Sequence, residues 1–197
     1  MKPSVLAPLM AAFILVRGSA CLGSVTVYTS KTLWSSAVAT GYATETFNNG
    51  PFGTYGSMTL SSGIAIIAPN HGFIPTTSLT WHDQIFKGSE STTFHFPSPI
   101  REFGGDWDLR SYWIGTPNPL RLTLDGTQVG QQIVDNGFFG VVSSTSFSNV
   151  VVTVGDPSTG YQNWDVDNVA YTPEVNGTAL TATLLGCGCM RRALRRK

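Results

Sequence analysis

Between residues 24 and 173 the chain has no cysteine; Cys21, Cys187 and Cys189 lie outside that span. No disulfide framework staples this body, and no thiol nucleophile is available within it. A body of roughly 150 residues buries enough apolar surface to fold without staples. Basic residues are also scarce there. Lys31, Lys87, Arg101, Arg110 and Arg121 stand against eleven acids, a net charge of −6. That balance argues against nucleic acid or an anionic membrane surface as the partner of the body. The formal neutrality of the whole chain comes from its ends, where Lys2, Arg17, Arg191, Arg192, Arg195, Arg196 and Lys197 sit. The body has no internal repeat and no G-x-S-x-G elbow. Its histidines, His71, His82 and His95, are too widely spaced in sequence to form a compact metal motif.

Helical periodicity is nearly absent as well. The one exception is "SKTLWSSAVAT" (30–40), with Ser30 as N-cap and Leu33, Trp34, Ala37 and Val38 on one stripe. Elsewhere short apolar or alternating runs are broken by Gly, Pro, Asn and Ser. Strands are expected at 25–28, 44–47, 57–60, 64–68, 92–96, 101–109, 120–124, 127–134, 139–143, 149–154 and 165–171. The strongest local signal is "LRLTLDGTQVG". Leu120, Leu122 and Leu124 alternate with polar residues, and Asp125-Gly126 makes a two-residue turn of type I′. The turn sets Leu124 opposite Thr127 and Leu122 opposite Val129, with the Leu/Val pair buried. The fold class is therefore all-β: an antiparallel β-sandwich or jelly-roll-like body with one short helix.

Three constellations in the body invite chemistry. Asp106 and Asp108 in "GGDWDLR" share one strand face, with Trp107 on the other. Two carboxylates at that spacing suit a glycosidase if one is held protonated, and an outward polar face with Trp107 in the core otherwise; the polar face is favoured. Arg101 and Arg110 are close enough in sequence to neutralise them. Asp165 and Asp167 share a face of the closing strand, and simple alternation puts Trp164, Val166 and Asn168 on the other. With Glu45 from an early strand they offer a carboxylate set for a structural Ca²⁺. The aromatics Trp81, Trp107, Tyr112, Trp113, Phe138 and Phe139 could form a sugar-stacking platform, with Tyr112 and Trp113 in the best loop. Core packing is the competing fate of most of them.

The two ends read as targeting signals. Lys2, the apolar run 5–16 and the small residues 18–20 form a secretory signal peptide, cut after Ala20 or a few residues later. Gly18 stands where a lipobox carries a larger apolar residue, which disfavours lipidation of Cys21. At the other end, Pro173-Glu174 interrupts the last strand. A weakly apolar stretch, 178–190, follows, and the five basic residues from Arg191 to Lys197 close the chain. A helix over 178–194 is about 25 Å long, short of the ~30 Å hydrocarbon core. The basic cluster stays cytoplasmic by the positive-inside rule, so both ends place the body outside.

This order of signal peptide, cysteine-poor β body, Pro-Glu pair, short apolar helix and terminal Arg cluster resembles the PEP-CTERM exported proteins of bacteria. The resemblance covers about the last 25 residues most specifically, and "GFFGVVSSTSFSNVVVTV" followed by "WDVDNVAY" is similar to the closing strands of many members. It implies that the tail is a sorting signal read by an exosortase, an integral-membrane cysteine protease that cuts near the Pro-Glu motif. Pro173 and Glu174 match the first two motif positions. Arg191 and Arg192, with Arg195, Arg196 and Lys197, form the basic stop. Val175 departs from the pattern, which carries a second Pro there. The expected organisation is a signal peptide at 1–23, a β-sandwich at 24–172 and a sorting signal at 173–197. The expected function is that of a non-enzymatic cell-surface or extracellular-matrix protein of a Gram-negative-type bacterium, with no cofactor beyond a structural Ca²⁺. A surface carbohydrate-binding module, bound to polysaccharide, and a permanently anchored periplasmic or surface protein are the alternatives.

Overall fold

The computed structural model describes residues 23–38, 41–48, 53–74, 79–85, 90–110, 118–158 and 162–173. Within them the chain runs β1 (Val25–Tyr28), α1 (Lys31–Ala37), β2 (Ala43–Glu45), β3 (Gly53–Thr59), β4 (Ala65–Ile74) and β5 (Trp81–Ile85). It continues β6 (Thr92–Arg110), β7 (Leu120–Leu124), β8 (Thr127–Gln128), β9 (Gly137–Val154) and β10 (Gln162–Pro173). Every strand pairing is antiparallel, as the sequence pattern requires.

Two long strands, β6 and β9, organise the sandwich by serving both of its sheets. The first half of β6 pairs with β4 and with the second half of β9, and that half of β9 pairs onward with β7. The second half of β6 pairs with β10 and with the first half of β9, which carries β1 on its far side. β10 in turn holds β5 and β2 along its other edge. The crossing point lies between His95 and Glu102, where the β6–β9 register shifts twice. Pro97 and Pro99 sit in this stretch. A proline lacks the N–H that a ladder needs, so it is tolerated where the ladder is already broken by a bend. Sequence alone breaks β6 at these prolines and β9 at its Ser/Thr-rich middle, 144–148. The structure instead runs each strand continuously through the bend.

Packed between the two sheets is one core. Phe94, Phe96, Phe103, Trp107, Trp164, Val141, Val150, Leu122 and Ile66 are all almost fully buried within it. The aromatic rings meet edge-on or tilted: Phe96 and Phe103 have centroids 6.0 Å apart, Trp107 and Trp164 5.4 Å. Such contacts add to the area term.

The hairpin reading of 120–129 matches the backbone. Asp125 and Gly126 have φ of 43° and 87°, as a type I′ turn requires. Leu124 pairs with Thr127, and Val129 N–H donates to Leu122 C=O at 2.9 Å. The Asp125 carboxylate accepts from Ser148 N–H and Asn149 N–H, each at 2.9 Å, and so ties the turn to β9. β8 itself stops at Gln128; Ile133 makes only an isolated bridge to Leu120. The expected helix is shorter than 30–40, and Ser30 caps it by accepting from Leu33 N–H at 3.5 Å. Of its apolar stripe only Trp34 is buried, while Leu33 is 64% exposed. Seven residues make two turns, too few to bury a full stripe.

Trp34 anchors α1 on the outer face of the sheet. Its indole N–H donates to Val141 C=O at 3.2 Å, and its ring lies 5.5 Å from Phe138. The slot exists because two glycines line it. A Cβ on Gly140 would come within 2.8 Å of Trp34 Cδ1, and one on Gly104 within 2.7 Å of the Phe138 ring.

Candidate functional site

Beside α1, on the same outer face, the strands β5, β10 and β6 carry a polar field. Register decides its membership. Asp165 of β10 lies between His82 of β5 and Asp108 of β6, and Asp167 lies opposite Asp106. Residues directly opposite in a ladder point to the same face, so four aspartates and a histidine share one surface. The intervening residues, Trp81, Val166 and Trp107, form the matching row on the inner face, and all three are buried. Both D-x-D readings thus place their acids outward and their tryptophans inward.

Each acid is held by a partner. Asp165 is only 3% exposed and binds His82 Nδ1 through a short buried contact. Asp108 accepts from Asn136 Nδ2 at 3.0 Å, and the Asn136 carbonyl accepts from Leu109 N–H at 2.7 Å. Asp106 receives Lys31 Nζ from α1 and Asn168 Nδ2 from β10, both at 2.9 Å. The cation beside Asp106 is therefore Lys31, from a distant part of the chain. Asp167 accepts from Asn168 N–H at 2.6 Å. Burial raises its carboxyl above the ordinary range. The Asn168 N–H draws it back, nearby Asp106 adds to the rise and Lys31 offsets it.

Asn168 is the pivot of this field. Its φ is 50°, in the left-handed region that asparagine tolerates. The β10–β6 register slips at the same point, with three steps from Asp167 to Ala170 facing two from Asp106 to Gly104. The extra residue is a β-bulge, and it reverses the side-chain parity of the strand. Before the bulge, Asp165 and Asp167 face outward; after it, Val169 and Tyr171 face the core. Simple alternation puts Asn168 with Trp164 and Val166. In the structure its side chain instead serves Asp106 and Asp167.

The same bulge separates the expected calcium ligands. Glu45 pairs with Val169 and so shares the inner face, where its carboxylate accepts from Phe47 N–H at 2.8 Å. Burial, then the Glu45 charge, raises the Tyr171 hydroxyl. Asp165 and Asp167 lie on the other face. β2 and β10 are neighbours, but Glu45, Asp165 and Asp167 do not converge. Among the described residues no group of three His, Cys, Asp or Glu is arranged to hold a metal ion.

The sugar-stacking set divides similarly. Trp81, Trp107 and Phe139 are core residues, and Phe138 packs against Trp34. Tyr112 and Trp113 lie outside the described residues. So do Glu174, Val175, the Arg191–Lys197 cluster and the whole of 1–22, while Pro173 is the exposed last residue of β10. Among the described residues no helix is long and apolar enough to cross a membrane.

Sequence reasoning did not find β5. Asp83 sits on its core-facing side, opposite Trp164, and this breaks the apolar alternation that marks a strand. The cost of burying Asp83 is offset by a hydrogen bond from Thr92 Oγ1. Without β5 the His82–Asp165 pair is invisible too, because the partners are 83 residues apart. No family model, curated protein or solved structure matches the chain.

Proposed function

We propose that this chain is an exported, non-enzymatic cell-surface or extracellular-matrix protein, carried out by its N-terminal signal and sorted by an exosortase through its tail. The observation that carries the proposal is the order of residues at the C-terminus: Pro173-Glu174, a stretch too short and too diluted to be a strong membrane span, then five basic residues. A marginal span with a cytoplasmic stop suits a substrate that is to be cut. The fold supports this reading at one point. β10 is the closing strand, and it ends at Pro173, whose ring removes a ladder donor. The motif thus begins at the last described residue of β10. The polar field supports a non-enzymatic role, since its side chains are paired with one another in roles that hold β5, β6, β10 and α1 together.

Intact-mass analysis of the protein from an exosortase-carrying host tests the proposal. The mature form is expected to lack the signal peptide and the segment after the Pro-Glu motif. Glu174→Ala, or deletion of 191–197, is expected to leave a longer, membrane-associated species. Unchanged mature mass and location in both variants would sink the sorting reading. A wild-type protein that keeps its tail in the membrane would favour the permanent anchor.

A further inference from the structure

We infer that the precursor presents one particular end of its sandwich to the membrane protease: the bend where β6 and β9 cross between the sheets, marked by Pro97, Pro99 and Ser146. This rests on the sorting reading above. Pro173 is still paired with Ile100, at the β6 bend, and Ile100 pairs with Phe147 at the β9 bend. Two residues earlier, Tyr171 is buried with its ring 5.1 Å from Phe96. Pro173 therefore lies at the bend, and the sheet fixes its place there. Pro97, Pro99 and Ser146 are exposed around it.

Only residues 174–177 separate Pro173 from the apolar stretch that starts at Thr178. Four residues span at most about 14 Å, at about 3.5 Å each. With 178–190 in the bilayer, so short a tether holds the bend end against the membrane surface and against any protease acting there. The opposite end of the sheet is held away. There Asn136 binds Asp108, whose partner Asp165 precedes Pro173 by eight residues, about 26 Å along the strand. The tether also confines the cut. Residues up to Pro173 are locked in the ladder, so the hydrolysed peptide bond lies between Pro173 and Thr178. Water supplies the hydroxyl of the new carboxyl on the body and the proton of the new amine on the tail.

Site-specific photo-crosslinking in the exosortase-carrying host tests the orientation. A photoreactive residue replaces Pro99 at the bend end or Asp135 at the far end of the full-length precursor. The protease is a variant lacking its nucleophilic cysteine, so that substrate stays bound. Position 99 is expected to crosslink to the protease at least tenfold more than position 135. A twelve-residue Gly-Ser insertion between Thr172 and Pro173 is expected to abolish that preference while the intact motif is still cut by the active protease. Equal crosslinking at the two positions, or a preference that survives the insertion, overturns the orientation. A mature C-terminus upstream of Pro173 overturns the confined cut and leaves the sorting reading standing. No cleavage of the wild-type chain overturns the sorting reading itself.

Discussion

On the inner face of the β5–β10–β6 ladder, Trp81, Val166 and Trp107 lie side by side; one residue along, on the outer face, His82, Asp165 and Asp108 do the same. The backbone is shared, and only the period-2 alternation separates the two rows. The inner row is held by dispersion and by exclusion of water, in which each residue contributes through many weak contacts. The outer row is held by a few directional bonds, each of which needs its partner. The comparison shows why a close-packed aromatic core and a chain of paired carboxylates can be built from the same three strands. It also shows that the two faces should fail differently when a side chain is removed.

The largest expected effect lies on the inner face. Trp164→Ala removes a fully buried ring that packs against Trp107, and should cost about 3–5 kcal/mol of folding stability in urea titration. A loss under about 1 kcal/mol would mean that this ring is not a member of the core. Next comes the outer face. Asp165→Ala leaves His82 buried without its carboxylate and should cost about 3 kcal/mol. Replacing His82 and Asp165 together by leucine should recover part of that loss, because neither member of the buried pair is then left facing the other's absence. If the double variant is no better than the single one, the outer row depends on something other than this pair.

The smallest effect concerns Asp167. Its carboxyl is raised above 3.8, chiefly by burial. The folded state therefore holds that proton more tightly than the unfolded chain does. This preference stabilises the fold below pH 3.8 and is lost as pH rises through the folded value. Asp167→Asn removes that loss, so the variant should gain on the wild type as pH is raised from 3.8 toward neutrality. A constant difference between their melting temperatures across that range would show that Asp167 does not titrate in this way.

How far each region was legible in the sequence follows from how local its causes are. The turn and register of the β7–β8 hairpin were legible because Asp125-Gly126 and three alternating leucines act over a few positions, while the second strand, expected to reach 134, stops at Gln128. The outward placement of Asp106 and Asp108 was legible for the same reason, since Trp107 between them demands the core. The joining of 92–96 to 101–109 was not, because a proline reads as a break unless its neighbours show that the ladder has already bent there. β5 was not legible, because beside Trp81 its core-facing side carries an aspartate, Asp83, whose burial is made tolerable by Thr92. The parity reversal at Asn168 was not legible either. An asparagine in a strand pattern carries no sign that it will take up a left-handed conformation and add a residue to its strand.

What the amino-acid sequence determined by itself is the β class, the short helix capped by Ser30, the hairpin and the chemical character of the two ends. Each depends on contacts within a few residues or on composition alone. The tertiary structure decided which strands run through both sheets, which cation meets Asp106 and where β10 turns its face. Those depend on pairings such as Lys31 with Asp106 and His82 with Asp165, between residues that only the closed sandwich brings within bonding distance.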